Sequence, residues 1–90
     1  MLFMIIERFR DGRAVDVYRR FRERGRMAPE GVSYVASWVD LDFGRCFQVM
    51  EAESETLIRE WTTKWDDLVE FEIVPVRTSA EAAQAIAPRL

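Results

Sequence analysis

With 90 residues, 49 % of them hydrophobic, the chain is long enough for one domain and no more. Its 13 basic and 16 acidic side chains leave a formal charge of −3, which argues against nucleic acid as a partner, because phosphate binding needs a basic patch. A single cysteine, Cys46, rules out an intrachain disulfide, and the absence of histidine removes the commonest general base and metal ligand.

The apolar opening Met1–Ile6 is too short for a signal-peptide core or a membrane span, and Glu7 and Arg8 interrupt it. A cytoplasmic protein with no membrane partner is therefore expected. Leu2 to Arg8 reads as a central strand buried on both faces, broken by Asp11-Gly12. From Arg13 to Arg24 the spacing turns helical, with Val15, Tyr18 and Phe21 in step and Gly25 suited to the left-handed position that ends a helix. The run R-R-F-R-E-R-G-R at Arg19–Arg26 reads as the solvated side of that helix.

Pro29-Glu30-Gly31 is a turn, and Val32 to Ala52 reads as a two-stranded hairpin reversing at Asp42-Phe43-Gly44. Two registers are open. A two-residue turn puts Trp38 opposite Phe47 and Ser37 opposite Gln48. A three-residue loop with Gly44 in the left-handed bulge position puts Trp38 opposite Gln48. Gly44 favours the second. Val35, Val39, Phe47 and Val49 then form a plain core face, and Tyr34, Ala36, Trp38, Cys46, Gln48 and Met50 share the other.

A second helix opens at Ser54 or Glu55 and carries Leu57, Trp61 and Trp65 at intervals of four, with Trp61 as a core anchor. In the strand Leu68–Val76, Val69, Phe71 and Ile73 take one face and Glu70 and Glu72 the other. Pro75 places that strand at a sheet edge. Thr78-Ser79 caps a final helix through Ala87, stopped by Pro88.

The order β-α-β-β-α-β predicts an α+β fold: a ferredoxin-like four-stranded antiparallel sheet with both main helices on one face and a short C-terminal helix. Residues 1–90 are read as a single domain. The opposite sheet face is apolar and bare, and a second copy packed sheet to sheet would cover it, so a homodimer is expected.

Tyr34, Trp38, Cys46 and Gln48 are the candidate ligand-binding residues, because aromatic surface, soft sulfur and one amide suit an apolar organic molecule. The same residues would also serve a core or a dimer contact. Glu51 or Glu7 is the catalytic acid/base candidate: each adjoins an apolar strand where partial burial raises a carboxyl pKa. Arg45 or Arg8 would hold an anionic group. Glu51, Glu53 and Glu55 lack convergent ligands, so no metal is expected. Gly12, Gly25, Gly31 and Gly44 are isolated, so no phosphate loop and no cofactor is expected either.

The tracts S-W-V at Ser37–Val39, R-C-F-Q-V-M-E at Arg45–Glu51 and W-T-T-K-W-D-D-L-V-E-F-E-I-V-P-V at Trp61–Val76 carry a resemblance over nearly the whole chain. With T-S-A-E-A-A at Thr78–Ala83 and F-R-E-R-G-R-M at Phe21–Met27, the sequence resembles a bacterial domain-of-unknown-function family (number 3303). That resemblance implies the dimeric α/β-barrel superfamily, whose members include quinone-forming monooxygenases, muconolactone isomerase-like proteins, haem-degrading enzymes and stress-induced barrel proteins. No catalytic residue of those enzymes matches a position here.

Three readings of function follow. The first is a homodimeric binder of a small apolar or aromatic molecule. The second is a cofactor-independent monooxygenase or isomerase, and the third is an interaction module without a ligand. A cavity of about 300 Å³ or more between sheet and helices would favour the first two.

Overall fold

The computed structural model describes all 90 residues. Its centre is β1 (Leu2–Phe9), in which Phe3 and Ile5 are fully buried while Leu2, Met4 and Ile6 are half-covered. That alternation is what a strand imposes, because successive side chains leave opposite faces. A short 3-10 turn, Arg10–Gly12, leads into α1 (Ala14–Arg24), which Gly25 ends at φ 70°. The hairpin strands β2 (Ser33–Val39) and β3 (Arg45–Glu51) follow, then α2 (Glu55–Thr62), β4 (Val69–Val76) and α3 (Ser79–Ile86).

All pairings are antiparallel and the sheet order is β2-β3-β1-β4, the ferredoxin-like arrangement. Pro75 lies on the edge strand β4, where its missing N–H is tolerated. Val17 of α1 and Ile58 and Trp61 of α2 pack on Phe3, Ile5, Met50 and Val69, so both helices cover one sheet face. Trp65 and Leu68 join that core from the turns at residues 63–68. The helix thus stops at Thr62, before the third tryptophan that the four-residue spacing predicts as helical.

The hairpin differs from the favoured expectation. Trp38 pairs with Phe47 and Ser37 with Gln48, and the bulge falls at Val35, between Tyr34 and Ala36, rather than at the turn. Phe43, not Gly44, takes the left-handed conformation, at φ 61°. The reason is local hydrogen bonding. The Gly44 N–H donates to Asp42 Oδ1 at 3.0 Å, the Phe43 N–H donates to Asp40 O at 3.0 Å, and Tyr18 packs edge-on against Phe43. An Asp40–Arg45 ion pair at 2.8 Å closes the loop.

The register sorts both faces into rows across the strands. Toward the helices lie the rows Ile73, Ile5, Gln48, Ser37 and Phe71, Glu7, Cys46, Val39. On the open side lie Val74, Met4, Val49, Ala36 and Glu72, Ile6, Phe47, Trp38. The expected plain core face of Val35, Val39, Phe47 and Val49 is therefore split, and Trp38 stands apart from Cys46 and Gln48. Beside the apolar core, four polar or sulfur side chains therefore sit beneath the helices, and a mainly apolar band faces outward.

At the C-terminus, α3 opens on a capping box. The Glu81 N–H donates to Thr78 Oγ1 at 3.1 Å and the Thr78 N–H donates to Glu81 Oε1 at 3.0 Å. Despite this cap, every residue of α3 is exposed. A 3-10 turn at Ala87–Arg89, with Pro88 inside it, ends the chain.

Candidate functional site

Glu7, Cys46, Gln48 and Ser37 meet under α1 because β1, β3 and β2 are adjacent and in this register. Glu7 pairs with Cys46, and Gln48 pairs with Ser37. The roof over them is thin. Of eleven α1 residues only Val17 is fully buried, since the helix spends its surface on Arg19, Arg20, Arg22 and Arg24. A pocket of about 120 Å³ remains, walled by Val17, Tyr18 and Phe21 of α1, by Phe9 and Val39, and by Trp61 and Trp65.

Arg26 is the pocket's cation, and its backbone carbonyl is gripped twice. Trp61 Nε1 donates to Arg26 O at 2.8 Å and Trp65 Nε1 donates to the same oxygen at 3.1 Å. Lys64 Nζ donates to the next carbonyl, Met27 O, at 3.3 Å, and Met27 holds φ 62°. The guanidinium lies 3.7 Å from the Tyr34 ring centroid and 5.1 Å from that of Phe21. None of the chain's ion pairs engages it.

Glu7 is only 8 % exposed, and its Oε2 has no hydrogen-bond partner, the one buried side-chain nitrogen or oxygen of the chain left so. Native interiors pair nearly all buried polar atoms, so such an orphan calls for a partner that the chain itself does not supply. Burial pushes the Glu7 carboxyl up from 4.5 to about 7, against the pull of the Arg26 charge and the Cys46 thiol. Cys46 is pushed up to about 12 by burial and by the neighbouring Glu7 charge, so at neutral pH it is a protonated thiol without nucleophilic power. The same surroundings raise the Tyr18 hydroxyl: burial first, then Cys46 and Glu7.

Of the four expected ligand residues, the structure brings Cys46 and Gln48 into the pocket. Both are buried, and Gln48 Nε2 donates to Met50 Sδ at 3.2 Å. Tyr34 stands behind the wall, stacking on Arg26 and sharing a 2.8 Å hydrogen bond with Ser37. Trp38 is on the open sheet face and 60 % exposed. Glu51 is also outside: it pairs with the N-terminal amine at 2.8 Å and lies five residues along β3 from Cys46, about 17 Å at strand rise. Arg8 pairs with Glu72 at 3.8 Å and Arg45 with Asp40, so neither reaches the pocket.

The sequence reading missed Arg26 as the pocket cation, since it ends a run of arginines that reads as solvated. Its one distinguishing mark is that it follows the helix-ending Gly25. No group of three metal-ligating side chains forms anywhere in the chain, and no helix is long and apolar enough to cross a membrane. Chemically, the pocket can accept or release a proton at Glu7 near pH 7 and can hold negative charge at Arg26.

Among curated proteins and solved structures, none is significantly similar to this sequence. A family model described as a domain of unknown function matches residues 1–90, and the chain belongs to that family, DUF3303.

Proposed function

We propose that this domain binds a small organic molecule in the pocket between its sheet and helices, and that it works as a homodimer. The observation that carries the binding role is the orphaned Glu7 Oε2 inside an otherwise mainly apolar pocket. At about 120 Å³ the space is well under the roughly 300 Å³ of a drug-sized site. It approaches the roughly 150 Å³ of a cavity that takes benzene. The pocket falls short of the roughly 300 Å³ expected for the ligand readings. A single ring is therefore the upper limit of what it could take, and a polyketide-sized substrate is excluded.

Two features support the dimer. The open face carries Met4, Ile6, Val49, Phe47, Val74 and Trp38 as one apolar band, which water penalises at about 25 cal/mol per Å². In addition, α3 buries none of its residues, although a lone helix shorter than about 12–15 residues is marginal in water. A second copy answers both needs.

A second reading, proton-transfer catalysis of the isomerase kind, is favoured by the Glu7 carboxyl at about 7 beside Arg26. In that role Glu7 moves the proton and Arg26 stabilises an enolate.

A single-ring fragment library screened by amide NMR tests the binding role. Shifts should cluster at Glu7, Cys46 and Gln48, and shifts confined to other surfaces would refute it. Turnover of a fragment, lost in Glu7→Gln while binding persists, would establish the enzyme instead. Sedimentation tests the assembly. The full chain should run as a dimer at micromolar concentration and a chain ending at Arg77 should dissociate more readily. A folded monomer of the full chain would overturn the assembly.

A further inference from the structure

We propose that the molecule taken by this pocket is a small hydroxylated organic acid, its carboxylate held by Arg26 and its hydroxyl by Glu7. This rests on the binding role above and narrows it to a chemical class. The first observation is the state of Arg26. Around the same helix, Arg13 and Arg19 take Asp16 and Arg20 takes Asp67, while Arg22 and Arg24 are unpaired but exposed to water.

Arg26 also takes none, yet it is half-buried in the pocket wall and held there at both its backbone and its side chain. Two indole N–H groups hold its carbonyl and two aromatic rings flank its guanidinium. A planar fork already immobilised loses little further freedom on binding, and that fork matches a carboxylate in two parallel hydrogen bonds. An arginine kept in place without an anion is therefore a prepared anion site.

The second observation is independent. Glu7, on β1 and facing the same pocket, presents a buried oxygen with no partner. Its carboxyl sits near half-protonation at neutral pH. A hydroxyl both donates and accepts, so it bonds to Glu7 in either protonation state, whereas an ammonium or a ketone suits only one. Glu7 and Arg26 line the same pocket and form no ion pair with each other, so one small molecule can touch both. Its body must be apolar to suit Phe9, Val17, Val39 and Trp61. Its size is about one ring. Placing the carboxylate at Arg26 and the hydroxyl at Glu7 also keeps the ligand's carboxylate away from that of Glu7.

The experiment uses three named probes, followed by Trp61 and Trp65 fluorescence and by amide NMR: 4-hydroxybenzoate, its neutral amide 4-hydroxybenzamide, and benzoate. 4-Hydroxybenzoate should bind about 10- to 100-fold more tightly than the amide, the range of a hydrogen bond to a charged group. Arg26→Met keeps the gripped backbone carbonyl and should bring the acid down to the amide's affinity. Arg26→Lys keeps the charge without the fork and should fall between. Glu7→Met should erase the preference for 4-hydroxybenzoate over benzoate while sparing the preference for acid over amide.

Equal binding of acid and amide, or an Arg26→Met chain that binds the acid undiminished, overturns the acid class. If the probes still shift Gln48 and Cys46 in that case, the pocket itself stands. Binding of none of the three at millimolar concentration overturns both, and the amide spectrum of each variant shows whether the fold is intact.

Discussion

Replacing Glu7 by Gln should flatten the dependence of stability on pH between about 4.5 and 7. Burial raises the Glu7 carboxyl from 4.5 to about 7, and the groups facing it are Arg26 from the loop after α1, Cys46 from β3 and Tyr18 from α1. Within that window the folded chain holds a proton that the unfolded chain has released. The associated stability is whole below pH 4.5 and is lost as the pH climbs through 7. At about 1.4 kcal/mol per pH unit the loss amounts to about 3 kcal/mol. For a domain of this size that is a fall in Tm of about 12–24 °C.

Urea denaturation of both chains at one fixed concentration, from pH 4 to 8.5, measures it. Asp67, held at about 2 by Arg20, acts in the opposite direction and at lower pH in both chains. The difference between the two curves isolates Glu7. Parallel curves would refute the reasoning, because they would mean that the carboxyl is solvated in the folded chain.

The remaining expectations concern packing and the hairpin. Ile58→Ala empties a site with no solvent exposure and should destabilise by about 2–5 kcal/mol in chemical denaturation, and a loss under about 1 kcal/mol would show that α2 does not seal the core. Phe43→Gly should relieve about 1 kcal/mol of left-handed strain and lose the Tyr18 contact, for a net change near zero in thermal melts. Gly44→Ala should cost under about 1 kcal/mol, since Gly44 avoids that region and a methyl would meet Asp42 Oδ1 at 3.2 Å. Arg20→Met should cost no more than about 1 kcal/mol despite the two-pronged bond to Asp67, because the aspartate is 58 % exposed.

Much of the fold was legible from local rules. The apolar run Leu2–Ile6 marks a central strand, Gly25 marks a helix end, and Pro75 marks an edge. Each acts over a few residues, through side-chain period, backbone conformation or a missing donor. Glu7 was also legible as a carboxyl beside an apolar strand. Trp65 was misplaced because a four-residue spacing describes the direction of a side chain, and the turns at residues 63–68 deliver the same direction without a helix.

What the sequence by itself determined is the set of elements, their order, and the alternation along β3 of Phe47 and Val49 with Cys46, Gln48 and Met50. Tertiary structure alone decided which side chains of β2 join each of those rows and which row faces the helices. A strand alternates with a period of two, so one residue of slip at Asp42–Gly44 exchanges every side chain between faces, and the bonds that settle the slip join Asp40, Asp42 and Tyr18 to that loop in space. Only in the settled register does Glu7 meet Cys46 and Gln48 under a thin helical roof, with Arg26 pinned at their side by two tryptophans from another part of the chain.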